Sequence, residues 1–308
     1  VSGRELNDVS SASVSNMLQA KAPGVHVQSS GGKAGEEASI VIRGKSTING
    51  STAPLWVIDG VIVGSSAGQL NSNDIESISV LKDAASTAIY GSSGANGVVL
   101  VTTKKAKPGE AKIDVSANWT ASKMHLGNME MMSGAELYEF YKSYTNQGSI
   151  TFAQYTPELA NRNYNWWKEG SQTGWTQDYN ISISGGTEKL RSFVSVGVFD
   201  QEGTAKGDEY TRYTFRYNMD YQAKPWLTIR PKVSGARSDR EDKMGGSVHN
   251  TTWNINGTGA ALAAMYTNLP WDSPYDENGD LLQVYRPTTW IASDKYNYLF
   301  DQQWNYIK

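Results

Sequence analysis

Two kinds of hydrophobic pattern divide the chain near residue 106. Up to that point the apolar residues come in short Val- and Ile-rich runs separated by Gly, Ser and Asn turns, which predicts strands at 25–28, 39–43 and 55–63. Residues 11–20 predict a short helix ended by Pro23 and Gly24. A further strand at 74–81 leads to Asp83, whose carboxylate is placed to cap a helix over 84–90. Gly91, Gly94 and Gly97 then turn the chain into 98–103, an apolar run suited to a buried strand. This half reads as a compact α+β or α/β unit.

Beyond residue 106 the period becomes two. Ile113, Val115, Ala117, Trp119 and Ala121 alternate with polar residues, as do Tyr179, Ile181 and Ile183. Tyr213, Phe215, Tyr217, Met219 and Tyr221 repeat the pattern, and so do Leu227, Ile229 and Val233. In 191–200 the valines 194, 196 and 198 share one face, with Phe193 and Phe199 on the other. Five antiparallel strands are expected, with a polar hairpin at 200–208. Residues 131–175 are not strand-like, but Ser133 with Glu136 forms a capping-box pattern that opens a helix over 133–144. Residues 239–308 are rich in Gly, Asn and Tyr and show little periodicity. Tyr and Trp near strand ends suit a lipid-facing band with aromatic girdles. A soluble sandwich that turns its polar face to water, as in a secreted β-rich adhesion or binding protein, is the alternative.

Composition narrows the classes. With 308 residues, a net charge of −3 and a pI of about 5.7, no basic field invites nucleic acid. Mean hydropathy is −0.50 and no apolar run reaches the length of a membrane-spanning helix, which leaves a β-barrel open. Cysteine is absent, so thiolate metal sites and disulfides are excluded. The opening VSGREL lacks the pattern of an export signal. His26, His125 and His249 lack ligand spacing, and no nucleophile–base grouping points to catalysis, so neither cofactor nor enzyme activity is expected. The glycines at 91, 94 and 97 precede a strand rather than a helix and read as a turn, not a phosphate loop. The acidic run 272–280 carries Pro274 at a ligand position and also reads as a turn.

Residues 73–105, NDIESISVLKDAASTAIYGSSGANGVVLVTTKK, closely resemble the signature of the plug domain of TonB-dependent outer-membrane transporters, in its SusC-like form. Ile40 to Gly44 (IVIRG) and Pro54 to Val61 (PLWVIDGV) resemble two further plug strands, and 175–180 and 184–189 resemble early barrel strands. Siderophore and cobalamin receptors, the nearest rivals, differ at the Lys82-Asp83-Ala84 ending. The resemblance implies an α+β plug domain at 1–106. Antiparallel transmembrane β-barrel strands and extracellular loops would follow at 107–308, an incomplete barrel embedded in outer-membrane lipid. It further implies import of oligosaccharides or oligopeptides driven by TonB, under a SusD-like surface lipoprotein. The family's TonB box is not visible, and five strands cannot close a barrel, so a longer protein is expected.

The resemblance marks Arg43, Asp59, Asp74, Glu76, Lys82, Asp83, Tyr90 and Gly91 as plug signature or gating residues. Arg43 and Asp59 lie in strands where charge is costly unless paired, and are expected to meet barrel-wall charges such as Arg212, Arg216 or Arg230, or partners inside the plug. Trp253, Tyr266, Trp271, Tyr275 and Tyr285 are candidates for stacking on ligand, or for packing loop against loop.

Overall fold

The computed structural model describes residues 1–6, 11–29, 32–42, 44, 50–67, 69–144, 156–242, 265, 268–282, 284–285 and 295–296. They form two compact units. One comprises Val1–Ala121, Trp175–Glu202 and Glu209–Arg240; the other comprises Ser122–Gly174, Gly203–Asp208 and Glu241–Lys308.

The first unit contains two β layers. Its N-terminal layer begins with β1 (His26–Gln28) and β2 (Ser39–Val41), an antiparallel pair. A four-stranded sheet follows, built from β3 (Leu55–Ile58), β4 (Val61–Gly64), β5 (Ile75–Leu81) and β6 (Val98–Thr103) in the order β4-β3-β6-β5. β6 lies in the middle, parallel to β3 and antiparallel to β5. That position explains its unbroken apolar run, since Val98, Val99 and Val101 are all buried. On one face, Trp56, Ile75, Ile78, Val99 and Val101 pack against the helix α1 (Val14–Met17), which is capped by Ser13. On the other face, Leu55, Val57 and Val98 meet Tyr90 and Leu100.

The predicted single strand at 55–63 is a hairpin. Asp59 and Gly60 both take positive φ, 51° and 89°, the geometry that a tight two-residue turn between twisted strands requires. Asp83 precedes a shorter helix, α2 (Ala84–Thr87), and its side chain makes no capping bond; the Asp83 carbonyl instead accepts from Thr87 N and from the Ser86 and Thr87 hydroxyls. From Ala88 the chain tightens into a 3₁₀ turn broken at Gly91, whose φ of 59° and ψ of −147° suit only glycine.

The second layer is an antiparallel sheet of β7 (Gly109–Lys123), β8 (Thr173–Gly186), β9 (Leu190–Glu202), β10 (Asp208–Lys224), β11 (Leu227–Ile229) and β12 (Lys232–Asp242). β7 to β10 pair in chain order, and β11 and β12 both pair with β10. Pro231, which has no N–H to donate, interrupts what the alternation predicts as one strand at 227–233.

This sheet is inside out. Its outward row Ile181, Val196 and Phe215 is 53%, 50% and 45% exposed, and Ile113 on β7 is 64% exposed. The polar residues between them, among them Asn180 at 5% and Arg216 at 7%, are the buried ones. A sheet folding in water does the reverse. On the outward face the Trp119 indole donates to the Tyr179 hydroxyl at 3.0 Å, an aromatic pair of the kind that marks a membrane–water boundary.

In the second unit, α3 (Gly134–Tyr144) carries the predicted capping box. Ser133 N donates to Glu136 Oε2 at 2.8 Å and Glu136 N to Ser133 Oγ at 3.3 Å. Trp271 packs among Leu137, Tyr138, Tyr141 and Leu159, and its indole donates to Gly134 O at 2.9 Å. Short strands β13 (Val284–Tyr285) and β14 (Lys295–Tyr296) pair antiparallel.

Candidate functional site

The buried polar face of the sheet is arranged in rungs set by strand register. Asp178 and Arg212 flank Phe199; Asn180 and Thr214 flank Gly197; Ser182 and Arg216 flank Ser195; Ser184 and Asn218 flank Phe193. Each rung but one central position carries a side chain toward the N-terminal layer.

That layer answers with one short segment. Asn71 caps the 3₁₀ turn Ser72–Asp74 by accepting from Asn73 N at 2.9 Å. The same side chain's amide donates to Asn180 Oδ1 at 3.0 Å and to Thr214 Oγ1 at 3.1 Å. Asn73 Nδ2 reaches Asp178 Oδ2 at 3.4 Å, and Asp74 takes the Arg216 guanidinium at 3.2 Å. Further along, Asn218 donates to Thr103 Oγ1 and to Lys104 O. Three consecutive rungs thus hold one four-residue turn, with the next rung holding the end of β6. Arg212 donates to the Ala12 carbonyl and lies 5.4 Å from the centre of the Phe199 ring.

The Asp74–Arg216 pair is deeply buried, with side chains 3% and 9% exposed. Burial pushes the Asp74 carboxyl above its ordinary value, and the Ser195 hydroxyl and the Arg216 charge offset this only in part. Asp74 Oδ1 has no hydrogen-bond partner among the described residues. Asp59 behaves oppositely. Burial raises it, but the Thr103 hydroxyl at 2.5 Å, the Thr103 N–H at 3.0 Å and Lys232 at 3.4 Å more than compensate, leaving it below the usual carboxylate value.

A carboxylate with a depressed folded pKa stabilises the fold above its ordinary value of 3.8, and that contribution is lost as pH falls through the folded value. Asp74, shifted up, favours the folded state in acid and disfavours it as pH rises through its own folded value. Titrating the purified full-length protein from about pH 5 to about pH 3 should therefore show a loss of thermal stability that Asp59→Asn reduces. An unchanged acid limb in the variant would remove Asp59 from the account.

The residues singled out in the sequence fall in several places. Asp59 meets a wall charge, Lys232, rather than one of the three named arginines, and Thr103 inside the plug. Arg216 goes to Asp74, Arg212 to the Ala12 carbonyl, and Arg230 to Asp220 within the wall itself. Arg43 lies outside the described residues. Glu76 and Asp83 are exposed, Lys82 lies against Gly24, and Tyr90 packs on Leu55 and Val57.

Among the ligand candidates, Trp253, Tyr266 and the Tyr285 side chain lie outside the described residues. Trp271 is 2% exposed and packs loop against loop. Tyr275 is half-buried and donates to Glu169 Oε1 at 3.1 Å. Burial and the Glu169 charge hold its phenol above the ordinary value. Asp276 accepts from the N–H groups of Asn278 and Asp280, so 272–280 is a turn. Among the described residues no cluster of His, Asp or Glu is placed to hold a metal.

Asn71, Asn73, Gly197, Thr214, Asn218 and Lys232 were not singled out. A signal existed for the wall residues, because every one that docks occupies a polar position of the period-two pattern.

Residues 1–98 match the TonB-dependent Receptor Plug Domain family. Over 91% of its length the chain is 35% identical to TonB-dependent receptor P26 of Formosa agariphila, and over 96% it is 36% identical to TonB-dependent receptor SusC of Bacteroides thetaiotaomicron. It spans 27% and 29% of those relatives, less than a third of either. A solved structure of the RagAB peptide transporter matches 98% of this chain and 36% of its own, with a TM-score of 0.77 and 29% identity. These relatives are receptors and transporters, not enzymes. With an N-terminal α+β layer seated on the polar face of an open, lipid-compatible sheet, the chain belongs to the SusC-like TonB-dependent receptors of the bacterial outer membrane.

Proposed function

We propose that this chain supplies the plug and first wall strands of an importer that takes oligosaccharide or oligopeptide nutrients across the outer membrane, driven by TonB. Residues 1–106 are the gate and 107–308 the beginning of the barrel and its outer loops. A SusD-like surface lipoprotein closes the extracellular side. The observation that carries this reading is the inverted sheet: a wall with apolar residues outward and hydrogen-bonded polar residues inward needs lipid on one side and a removable occupant on the other. A gate of this kind must seal at rest yet leave under force, and a seat made largely of polar contacts suits both demands. The similarity to a peptide importer favours oligopeptides among the two cargo classes.

Uptake of labelled oligopeptides and of labelled oligosaccharides by cells carrying the full-length protein tests this, with and without functional TonB. TonB-dependent accumulation of either class supports the proposal. Accumulation of neither, or uptake indifferent to TonB, overturns it.

A further inference from the structure

Of the four rungs from Phe199 to Phe193, one has no side chain at its centre. Gly197 sits between Asn180 and Thr214, and a Cβ built on it would lie 2.2 Å from Asn71 Nδ2, 2.8 Å from Thr214 Oγ1 and 3.1 Å from Asn180 Oδ1. A Cβ there would have to push aside the Asn71 amide, which three hydrogen bonds hold in the volume that a larger residue would fill. The neighbouring central positions are Phe199 and Ser195, neither of which leaves that space. Successive rungs are two residues apart, about 6.7 Å along the strand. A plug displaced by one rung would press Asn71 onto Phe199 or Ser195 and leave Asp74 without Arg216.

Resting on the reading of this unit as a plug, we infer that Gly197 is the register-setting residue of the wall. It is the aperture that admits Asn71 and thereby fixes the axial position at which the plug seats. Asn71 carries a second duty, because its Oδ1 winds the turn that aims Asp74. Docking of the key and formation of the Asp74–Arg216 pair are therefore one event. A reciprocal fit locks the same seat from the other side. Gly35 of the plug, at φ +70°, has the Tyr210 ring of the wall 2.3 Å from where its Cβ would stand, and its N–H donates to Gln201 Oε1 at 3.1 Å.

The test uses full-length protein with a single cysteine at Ser72, a buried position in this otherwise cysteine-free stretch. The readouts are the rate of labelling by a membrane-impermeant thiol reagent and the entry of a large antibiotic into cells, with heat-modifiable gel migration as the check that the barrel forms. Gly197→Ala is expected to raise labelling by about tenfold, since two buried hydrogen bonds and the turn are lost together. Asn71→Ala should do the same, and the Asn71→Ala/Gly197→Ala double variant should be no faster than either alone. Unchanged labelling in Gly197→Ala, or additive effects in the double variant, would overturn the inference. Raised and non-additive labelling without antibiotic entry would support the seat while overturning the plug as a gate.

Discussion

Replacing Arg216 with alanine is expected to weaken the seating of the plug by about 3–5 kcal/mol, the range for removing one partner of a buried ion pair. The residue lies 3.2 Å from Asp74 with little solvent on either side, so its loss strands a carboxylate whose Oδ1 has no partner among the described residues. Asp74 would then take up a proton, which trades the charge for a buried, half-satisfied acid. Replacing both residues together, Asp74→Asn with Arg216→Leu, removes both charges and should cost much less. Thermal unfolding of the purified full-length proteins gives the comparison. If the single variant is as mild as the double, the ion pair contributes nothing to the seat.

Placing a charge on the outward row should cost about 2–4 kcal/mol for Val196→Arg, the range for a basic residue near the middle of a lipid-facing barrel strand. Val196 lies between Ile181 and Phe215, midway along three long paired strands, and is 50% exposed. On a soluble protein a half-exposed valine can become arginine within about 0.5 kcal/mol. The two environments therefore give different answers to one substitution. Urea titration in lipid vesicles, read by heat-modifiable migration, measures it; a near-zero change would mean that this face meets water.

The alternation of apolar and polar residues gave the wall strands, and it gave their two faces. It could not say which face is buried, because lipid and water reverse the rule and both leave the same period of two. The hairpin at Asp59-Gly60 was readable, since Asp-Gly is a strong two-residue turn signal, yet the apolar run on either side reads equally as one strand. The capping box at Ser133 and Glu136 was read from local spacing alone, and local spacing suffices for it. Asp83 shows the limit of that approach: the residue type fits a cap, but its side chain makes none.

The seat itself was the least legible part. Asp74 and Arg216 are 142 residues apart, and nothing in either neighbourhood selects the other. Charge cost directed attention to wall charges such as the three arginines for Asp59, and the geometry gives it a wall lysine together with Thr103 inside the plug. Asn71 was invisible for a different reason. An Asn before a short turn is ordinary loop chemistry, and only the wall's missing side chain at Gly197 makes it a key.

The composition of the rungs has a mechanical consequence. An oily joint between plug and wall would resist separation over its whole area, because exposed apolar surface has nothing to exchange with water. A joint built largely of amides, hydroxyls and two ion pairs has such an exchange partner at those contacts, so each bond broken there is replaced as solvent enters. Under a pull on the proposed gate, one rung parts before the next. The force needed is then that of starting a tear, not of parting the whole surface, and the seam reseals as the same bonds re-form in the reverse order.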